Sequence, residues 1–364
     1  MAQGFICAML LLLHKPARTN KILLAFILLT FIVLSFKILI HTLELWQKPQ
    51  WRYLPLAFDL LIQPLFYLYT LSLTQKNYQL KGNTSLHFLP MVVFMCHAIW
   101  VYIVALQTND ITIKDQLAEG LYYNLIKEFE DVLSVVSGIV YWVLSFRQIQ
   151  AYKQWLNTNI SNASYPAYNW LRNVLIAMGI LVAILMINIP LEIFYNLGSK
   201  HFIQWQFFYF YLAVLVYYLG FVGYQQKDFE VAFQAEKRST VSLSTKQILT
   251  VKEQLFKAIN QEKVYLDAEL NLSALAKQIG VSEGVLSAVI NEEFQQNFRN
   301  FINEKRVEEV KHRLLTQDYK HLSILGIALE SGFNSEASFY RVFKTITGQS
   351  PKDFLHKNNS QKPF

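Results

Sequence analysis

Six long apolar runs in the first 223 residues constrain the fold of this chain more than any other feature. A helix that spans a bilayer needs about 20 mostly apolar residues, and each run is close to that length. The runs are Ile22 to Ile40, Tyr53 to Leu73, Leu86 to Leu106, Phe129 to Phe146, Leu171 to Ile189 and Ile203 to Gly223. The pattern predicts a bundle of transmembrane helices.

A further apolar run, Gly4 to Leu13, has about half the required length and is followed by His14, Lys15 and Arg18. Three interpretations are open: the tail of a first helix that begins upstream, a short interfacial segment, or a signal peptide. The first is favoured, because no basic segment precedes the run and no small-residue cleavage site follows it. Six or seven spans are therefore predicted.

Charge density divides the chain into two parts. Charged residues make up only 16% of the whole chain, against about 25% in soluble proteins. Residues 1–223 contain 14 Lys and Arg with 9 Asp and Glu, whereas the shorter segment 224–364 contains 19 and 17. We therefore predict an all-α protein with a membrane domain at 1–223, a linker and connecting helix at 224–254, and a water-soluble helical domain at 255–364. The overall charge of +7 does not by itself indicate nucleic acid.

Basic residues in the predicted loops indicate the orientation, because Lys and Arg are retained on the cytoplasmic side of a membrane. One set of alternate loops contains eight Lys and Arg, and the opposite set contains five together with an acidic cluster between Asp110 and Asp131. This bias places everything after Gly223 in the cytoplasm. The predicted location is the inner membrane of a bacterium.

Three polar side chains within the spans are candidate ligand contacts, because polar groups are costly in a bilayer. Asp59 and Gln63 are four residues apart on one predicted helix, between Pro55 and Pro64, and His97 lies in the next span. The alternative is that water reaches Asp59 from the outer interface and that His97 forms a hydrogen bond with a neighbouring helix.

Catalytic and metal-binding patterns are not found in the sequence. It contains neither a His-Glu-x-x-His pattern nor a Gly-x-Ser-x-Gly pattern. Cys7 and Cys96 lie in apolar runs and give neither a disulfide framework nor metal-ligand spacing. We therefore predict no enzymatic activity, no cofactor and no metal.

Two segments near the C-terminus repeat one pattern. Ala276 is followed four residues later by Gly280, and Ala328 is followed in the same way by Gly332. A small residue at a helix crossing and a glycine in a tight turn are typical of two short helices joined by a turn. Ser282 and Asn334 are the predicted caps of the helices that follow. Tandem helix-turn-helix units indicate DNA binding.

Helical periodicity gives the predicted bounds of this domain. Ser244 and Gln247 resemble a capping box at the start of an amphipathic helix that ends near Gln261. Asn271 caps the first helix of the first unit. The remaining predicted helices are a first recognition helix from Glu283 to about Phe294, a long spacer from Phe298 to Leu315, and a second recognition helix from Ser335 to Thr345.

Polar side chains on the two recognition helices are the predicted DNA contacts. The predicted residues are Ser287 and Asn291 in the first unit, and Ser335, Glu336, Ser338, Tyr340, Arg341 and Lys344 in the second. Arg341 and Lys344 suit phosphate or guanine, although a solvated helix face would have the same composition.

Several of these segments resemble the AraC family of transcriptional regulators. The matching residues in the second unit are Ile327-Ala328, Ser331-Gly332-Phe333, Ser338-Phe339, Arg341-Val342-Phe343-Lys344, Thr347-Gly348-Gln349-Ser350-Pro351 and Phe354. Those in the first are Ala276, Gly280, Val281-Ser282, Leu286-Ser287, Phe301-Ile302 and Arg306-Val307-Glu308. The match covers roughly Leu255 to Leu355 and is similar to regulators in which this module follows a multi-span membrane domain.

The resemblance implies two helix-turn-helix units joined by a long helix, which read successive major-groove segments about 34 Å apart. The expected partners are double-stranded DNA, a lipid bilayer and a second copy of the chain, and the small-molecule ligand is unidentified. Two departures bear on the first unit: Gln295 and Gln296 stand where the family commonly has glycine, and Gly284 and Val285 replace more polar residues. The rival interpretations are a membrane receptor or transporter whose cytoplasmic domain acts by protein contact, and a membrane enzyme.

Overall fold

The computed structural model describes residues 1–13, 18–75, 78–80, 82–161, 166–195, 203–225, 244–316 and 321–359. The described residues are helical, apart from turns, loops and one isolated antiparallel bridge between Ile160 and Asn271. The chain divides into two compact units. The first contains Met1–Gln150 and Ala167–Gln234, and the second contains Ala151–Pro166 and Ala235–Phe364. The predicted all-α fold is confirmed.

Among the described residues, eight α-helices belong wholly or mainly to the first compact unit. They are α1 (Ala2–Leu13), α2 (Thr19–Thr42), α3 (Ile62–Thr74), α4 (Leu89–Ala105), α5 (Ile111–Gly120), α6 (Tyr123–Asn159), α7 (Pro166–Tyr195) and α8 (Ile203–Gln225). A 3-10 helix, Gly82–Phe88, leads into α4. The helix α6 has 37 residues, and its last nine lie in the second unit.

Within the described residues, five helical segments are long and apolar enough to cross a membrane: Thr19–Thr42, Gly82–Ala105, Tyr123–Asn159, Tyr168–Leu191 and Trp205–Gln225. Five of the six predicted spans therefore coincide with such helices. The short helix Ala2–Leu13 has 12 residues and packs against α2 and α8.

The predicted span from Tyr53 to Leu73 is wrong as a single long helix. The helix α3 begins only at Ile62 and has 13 residues. Pro55 lacks the amide hydrogen that a helix interior needs, and the carboxylate of Asp59 is held by Lys37 and Lys127. Pro64 is accommodated because it lies in the first turn of α3, where amide groups have no partner within the helix.

Glycines allow close helix packing in the first unit. A Cβ atom at Gly223 would lie 2.6 Å from Leu24, and one at Gly4 would lie 2.7 Å from Val216. Close backbone approach through small residues is typical of helices that associate in a bilayer.

In the part of the second compact unit that the structure describes, seven α-helices follow. They are α9 (Thr245–Asn260), α10 (Leu272–Gln278), α11 (Glu283–Phe294), α12 (Phe298–Leu315), α13 (Ile324–Glu330), α14 (Glu336–Thr347) and α15 (Pro351–Asn359). The predicted capping box of α9 is confirmed, since the Ser244 and Gln247 side chains each cap the other's backbone. Most of the predicted linker, residues 226–243, lies outside the described residues.

Two hydrophobic cores lie along α12. Its first half contributes Phe298, Phe301 and Ile302 to a core with α9, α10 and α11. Its second half contributes Val307 and Val310 to a core with α13, α14 and α15. One helix therefore holds both helix-turn-helix units, as the predicted long spacer requires.

Candidate nucleic-acid interface and helix-bundle cavity

The turns of both helix-turn-helix units have the same hydrogen-bond pattern. In the first, Val281 N–H donates to the Ala276 carbonyl at 2.9 Å, and in the second, Phe333 N–H donates to the Ala328 carbonyl at 3.1 Å. These six-residue bonds close a Schellman turn around a glycine in the left-handed region. Gly280 has φ 73° and Gly332 has φ 91°. The repeat seen in the sequence is therefore a repeat of backbone structure.

The recognition helices begin at slightly different points in the two units. Ser282 caps α11 by accepting a hydrogen bond from Val285 N–H at 3.3 Å. The predicted cap of the second recognition helix, Asn334, is wrong, because Ser335 accepts from Ser338 N–H at 3.3 Å. The second turn is one residue longer than the first, and this shifts the start of α14.

The second recognition helix, α14, presents one exposed polar face. Glu336, Tyr340, Arg341 and Lys344 are exposed and recur at spacings of one helical turn. Among the residues that the structure describes, no ion pair is found for Arg341 or Lys344, so both cations are available to an external anion. A guanidinium and an ammonium on one helix face suit phosphate and guanine acceptors.

Two predicted contacts on α14 have other roles. Ser338 is only 5% exposed, so its side chain lies at the edge of the domain interior and not on the exposed face. The hydroxyl of Ser335 is occupied as the helix cap. Helical spacing alone did not separate Ser338 from the exposed face, because it lies at the boundary next to buried Phe339.

The first recognition helix, α11, offers fewer donors. The Asn291 amide donates to Ser287 Oγ at 3.3 Å, so these two predicted contacts lie together one turn apart. Beyond them, Glu292 and Glu293 are exposed, and Glu293 forms an ion pair with Lys252 of α9. The helix ends at Gln295, which has φ 54°. Gln295 thus adopts the conformation that glycine supplies in the family.

A buried arginine lies next to the turn of the second helix-turn-helix unit. Arg306 of α12 is 1% exposed, and it donates through Nε to the Tyr265 carbonyl at 2.8 Å and through Nη2 to the Asp267 carbonyl at 2.7 Å. Burial lowers the pKa of Arg306 to about 10, and the guanidinium stays charged at neutral pH. The burial of Arg306 was not predictable from helical periodicity, since no periodicity shows where the second core begins.

A carboxylate network lies beside this arginine. Glu309 accepts from Arg313 Nε at 2.7 Å and from the Tyr265 hydroxyl at 2.9 Å. Burial raises the pKa of Glu309, but these two hydrogen bonds outweigh it and hold the pKa below its ordinary value. Arg313 also contacts Glu330 of α13 at 3.3 Å. The network links the spacer helix to the first helix of the second unit.

The C-terminal end of α6 belongs to the second compact unit and packs next to the first helix-turn-helix unit. Ser161 Oγ donates to the Leu270 carbonyl at 2.6 Å, and Ile160 forms the bridge with Asn271. Asn271 is the cap of α10, and its side chain accepts from Ala274 N–H. Arg299 Nη1 lies 3.3 Å from Asn157 Oδ1. This contact was not predictable from the sequence, because residues 151–166 lie between two apolar runs and have no pattern that indicates a contact with the C-terminal domain.

The first unit contains a cavity of about 240 Å³ between α2, α4, α6 and the segment before α3. His97 lines this cavity and contacts the Leu121 carbonyl through Nε2 at 3.1 Å. Lys37 and Lys127 also line the cavity, and both form ion pairs with the carboxylate of Asp59. Gln63 is directed elsewhere, since its Nε2 lies 3.4 Å from the Ser134 carbonyl.

Comparison with known proteins identifies the C-terminal module. Residues 275–357 match the family model described as a helix-turn-helix domain. This segment is an AraC-type helix-turn-helix domain. The match includes both glycine turns, both recognition helices and the spacer α12.

The relatives match about a quarter of this chain, and the share of their own length that is matched differs widely. An uncharacterized HTH-type transcriptional regulator of Staphylococcus aureus (strain MSSA476) is 38% identical over 92 residues, which is 25% of this chain and 12% of that protein. Another uncharacterized HTH-type transcriptional regulator from Staphylococcus aureus is 39% identical over 92 residues, which is again 25% of this chain and 12% of that protein. The regulatory protein SoxS of Escherichia coli (strain K12) is 27% identical over 93 residues, 26% of this chain and 84% of SoxS. The chain thus spans about an eighth of the first relatives that it matches, and no solved structure matches it.

Proposed function

We propose that this protein is a membrane-bound transcription factor that binds promoter DNA through its two helix-turn-helix units. The AraC-type domain supports the DNA-binding part of this proposal. The observation that carries it is the exposed face of α14, on which Arg341 and Lys344 lie one turn apart without ion pairs among the described residues. The five apolar helices support a multi-pass location in the bacterial inner membrane, with the C-terminal domain in the cytoplasm.

Signal sensing by the membrane domain is the second part of the proposal. Two segments connect the apolar helices to the DNA-binding domain: residues 224–261 and the end of α6. At the end of α6, Ser161 donates to the Leu270 carbonyl and Ile160 pairs with Asn271, the cap of α10. A displacement of α6 would therefore be transmitted to the first helix-turn-helix unit through these two residues. A shift between two arrangements needs only a few kcal/mol of differential stability. Dimerisation of the chain is a further way to change how the units are presented to DNA.

Retention of genomic DNA fragments by the purified protein, across a salt series, tests the DNA-binding part. We expect selective retention of a few sequences, and an Arg341→Ala, Lys344→Ala double variant should lose at least tenfold in affinity for them. Its salt slope should also fall by about one for each phosphate contact that is lost.

A Lys246→Ala, Lys257→Ala variant is the matched control, because it removes the same charge from exposed positions of α9. If the two double variants lose affinity equally, α14 does not read DNA. In that case the alternative, a receptor or transporter whose helical domain acts by protein contact, is favoured. A reporter that responds equally with and without residues 1–223 would remove the sensing part.

A further inference from the structure

An apolar groove lies beside α9 in the C-terminal domain. Its volume is about 750 Å³, and its walls come from α9, from the end of α11 and from α12. Leu249 is 55% exposed and Phe256 is 65% exposed, which makes them the two most exposed large hydrophobic side chains among the described residues of the second compact unit. Phe294 and Phe301, whose ring centroids are 4.8 Å apart, also line the groove. An exposed apolar patch of this kind is typical of a protein–protein contact.

Four residues of α9 form a self-complementary pattern along this groove. Leu249, Lys252, Glu253 and Phe256 all line it, in the order apolar, basic, acidic, apolar. Their spacings of three, four and seven residues place them on one face of the helix. When two copies of α9 lie antiparallel with the midpoint between Lys252 and Glu253, each Leu249 meets Phe256 of the partner subunit. Each Lys252 then faces Glu253 of the partner subunit.

The charges favour the antiparallel contact over a parallel one. In a parallel contact each residue opposes its own copy, so that Lys252 meets an ammonium and Glu253 meets a carboxylate, and like charges in contact are unfavourable. Glu253 forms no ion pair with any residue that the structure describes, so its carboxylate is available to a partner. Lys252 pairs with Glu293 of α11, but an ammonium has three donors and can bind a second carboxylate. The antiparallel contact therefore pairs the charges at its centre.

We propose that two copies of this chain associate through the face of α9 formed by Leu249, Lys252, Glu253 and Phe256, in an antiparallel contact with two-fold symmetry. Such a contact uses the same patch on both copies, so one association covers both patches. Burial of the apolar side chains drives the association, and the ion pairs set its register. The inference rests on the proposed function, because two chains held in one membrane meet at a high local concentration. It names the surface through which they would present their helix-turn-helix units to DNA together.

Cysteine cross-linking of the full chain in membrane vesicles tests the orientation. In a Cys7→Ser, Cys96→Ser background, the double variant Leu249→Cys, Phe256→Cys should give a disulfide-linked dimer under a mild oxidant. Seven residues of helix span about 10.5 Å, too far for a disulfide within one chain. Each single variant should give at least tenfold less dimer, because the antiparallel contact separates each cysteine from its own copy by the same distance. Equal cross-linking by a single variant, or none by the double variant, would overturn the proposal.

Charge reversal with both apolar side chains in place is the second test. Glu253→Lys should raise the dissociation constant of the dimer at least fivefold, because it places two pairs of like charges at the centre of the contact. Addition of Lys252→Glu should recover most of that loss. Gln254→Lys is the control, since it adds a positive charge at an exposed position about 100° further round the helix. Sedimentation of the detergent-solubilised full chain measures these constants, and an unchanged constant for Glu253→Lys would contradict the contact.

Retention of DNA by the same preparation separates this inference from the proposed function. Sequence-selective retention without antiparallel cross-linking contradicts only the dimer contact, and the groove then serves lipid or another protein. Antiparallel cross-linking without sequence-selective retention contradicts only the proposed regulator.

Discussion

The two glycine turns should respond very differently to the same substitution. Both glycines adopt positive φ, so alanine costs about 1–2 kcal/mol at either position through backbone strain. Around Gly280 a new Cβ atom would meet nothing within 4 Å. At Gly332 it would lie 2.3 Å from the Tyr265 carbonyl oxygen and 2.8 Å from Arg306 Nε. Relief of that clash requires displacement of the buried hydrogen bond between these two groups.

The expected difference follows from these contacts. Overpacking costs about 1–3 kcal/mol, and a weakened hydrogen bond to a charged group costs about 1.5–3 kcal/mol. Because both costs arise from one displacement and do not add in full, we expect Gly332→Ala to destabilise the domain by about 2–4 kcal/mol more than Gly280→Ala does. Urea unfolding of a fragment spanning residues 240–364, which contains both cores, measures this directly. With a slope of about 2 kcal/mol/M, the two midpoints should differ by about 1–2 M. Equal midpoints would mean that Tyr265 and Arg306 move apart freely, and the proposed support of the second unit would be incorrect.

Three further predictions use other features of the second compact unit, residues 151–166 and 235–364. Gln295→Gly should stabilise the 240–364 fragment by about 1 kcal/mol, because it relieves the left-handed strain at φ 54°; an unchanged urea midpoint would contradict this. Glu309→Gln should destabilise the fragment at neutral pH, and the destabilisation should shrink as the pH falls below 4.5, the ordinary pKa of the carboxyl. The reason is that the pKa of Glu309 is lowered in the folded state, so its stabilising effect is complete above the unfolded-state pKa and is lost as the pH falls through the folded-state pKa. A difference between native and variant that stays constant from about pH 7 to about pH 3 would refute the network around Glu309. Ser161→Ala should alter the response of a reporter to the membrane domain without changing the DNA retention of the purified full-length protein. A normal reporter response would show that the Ser161 hydrogen bond does not transmit the signal.

The helix-turn-helix domain was largely predictable from the sequence because its signals are local. The cap of α10 at Asn271, the capping box at Ser244 and the bounds of α11 and α12 all follow from residues within one or two turns of each other. Such short-range signals survive in any tertiary context. The cap at Ser335 was missed because Asn334 and Ser335 both have suitable side chains, and only the length of the turn decides between them.

Long-range features were not predictable in the same way. The interruption of the second predicted span depends on ion pairs from α2 and α6 to Asp59, which the sequence does not bring together. His97 was among the predicted ligand contacts, but the places of Lys127 and Glu130 in the cavity lining were missed, because both were counted as loop residues. Their spacing of three residues at the start of an apolar run was the available signal, since it places both on one helix face.

The two helix-turn-helix units share a turn but differ in what surrounds it, and this difference suggests a division of roles. The second unit is tied to the spacer helix through Gly332 and Arg306, and its recognition helix carries two available cations. The first has a recognition helix that ends in strain at Gln295 and presents exposed carboxylates near its C-terminus. Because base discrimination needs donors held in fixed positions, we expect most sequence specificity to come from the second unit. The opening cap of the first helix-turn-helix unit contacts the segment that follows α6. If the proposed signal acts there, we expect it to adjust total affinity while leaving the base preference of the second helix-turn-helix unit intact.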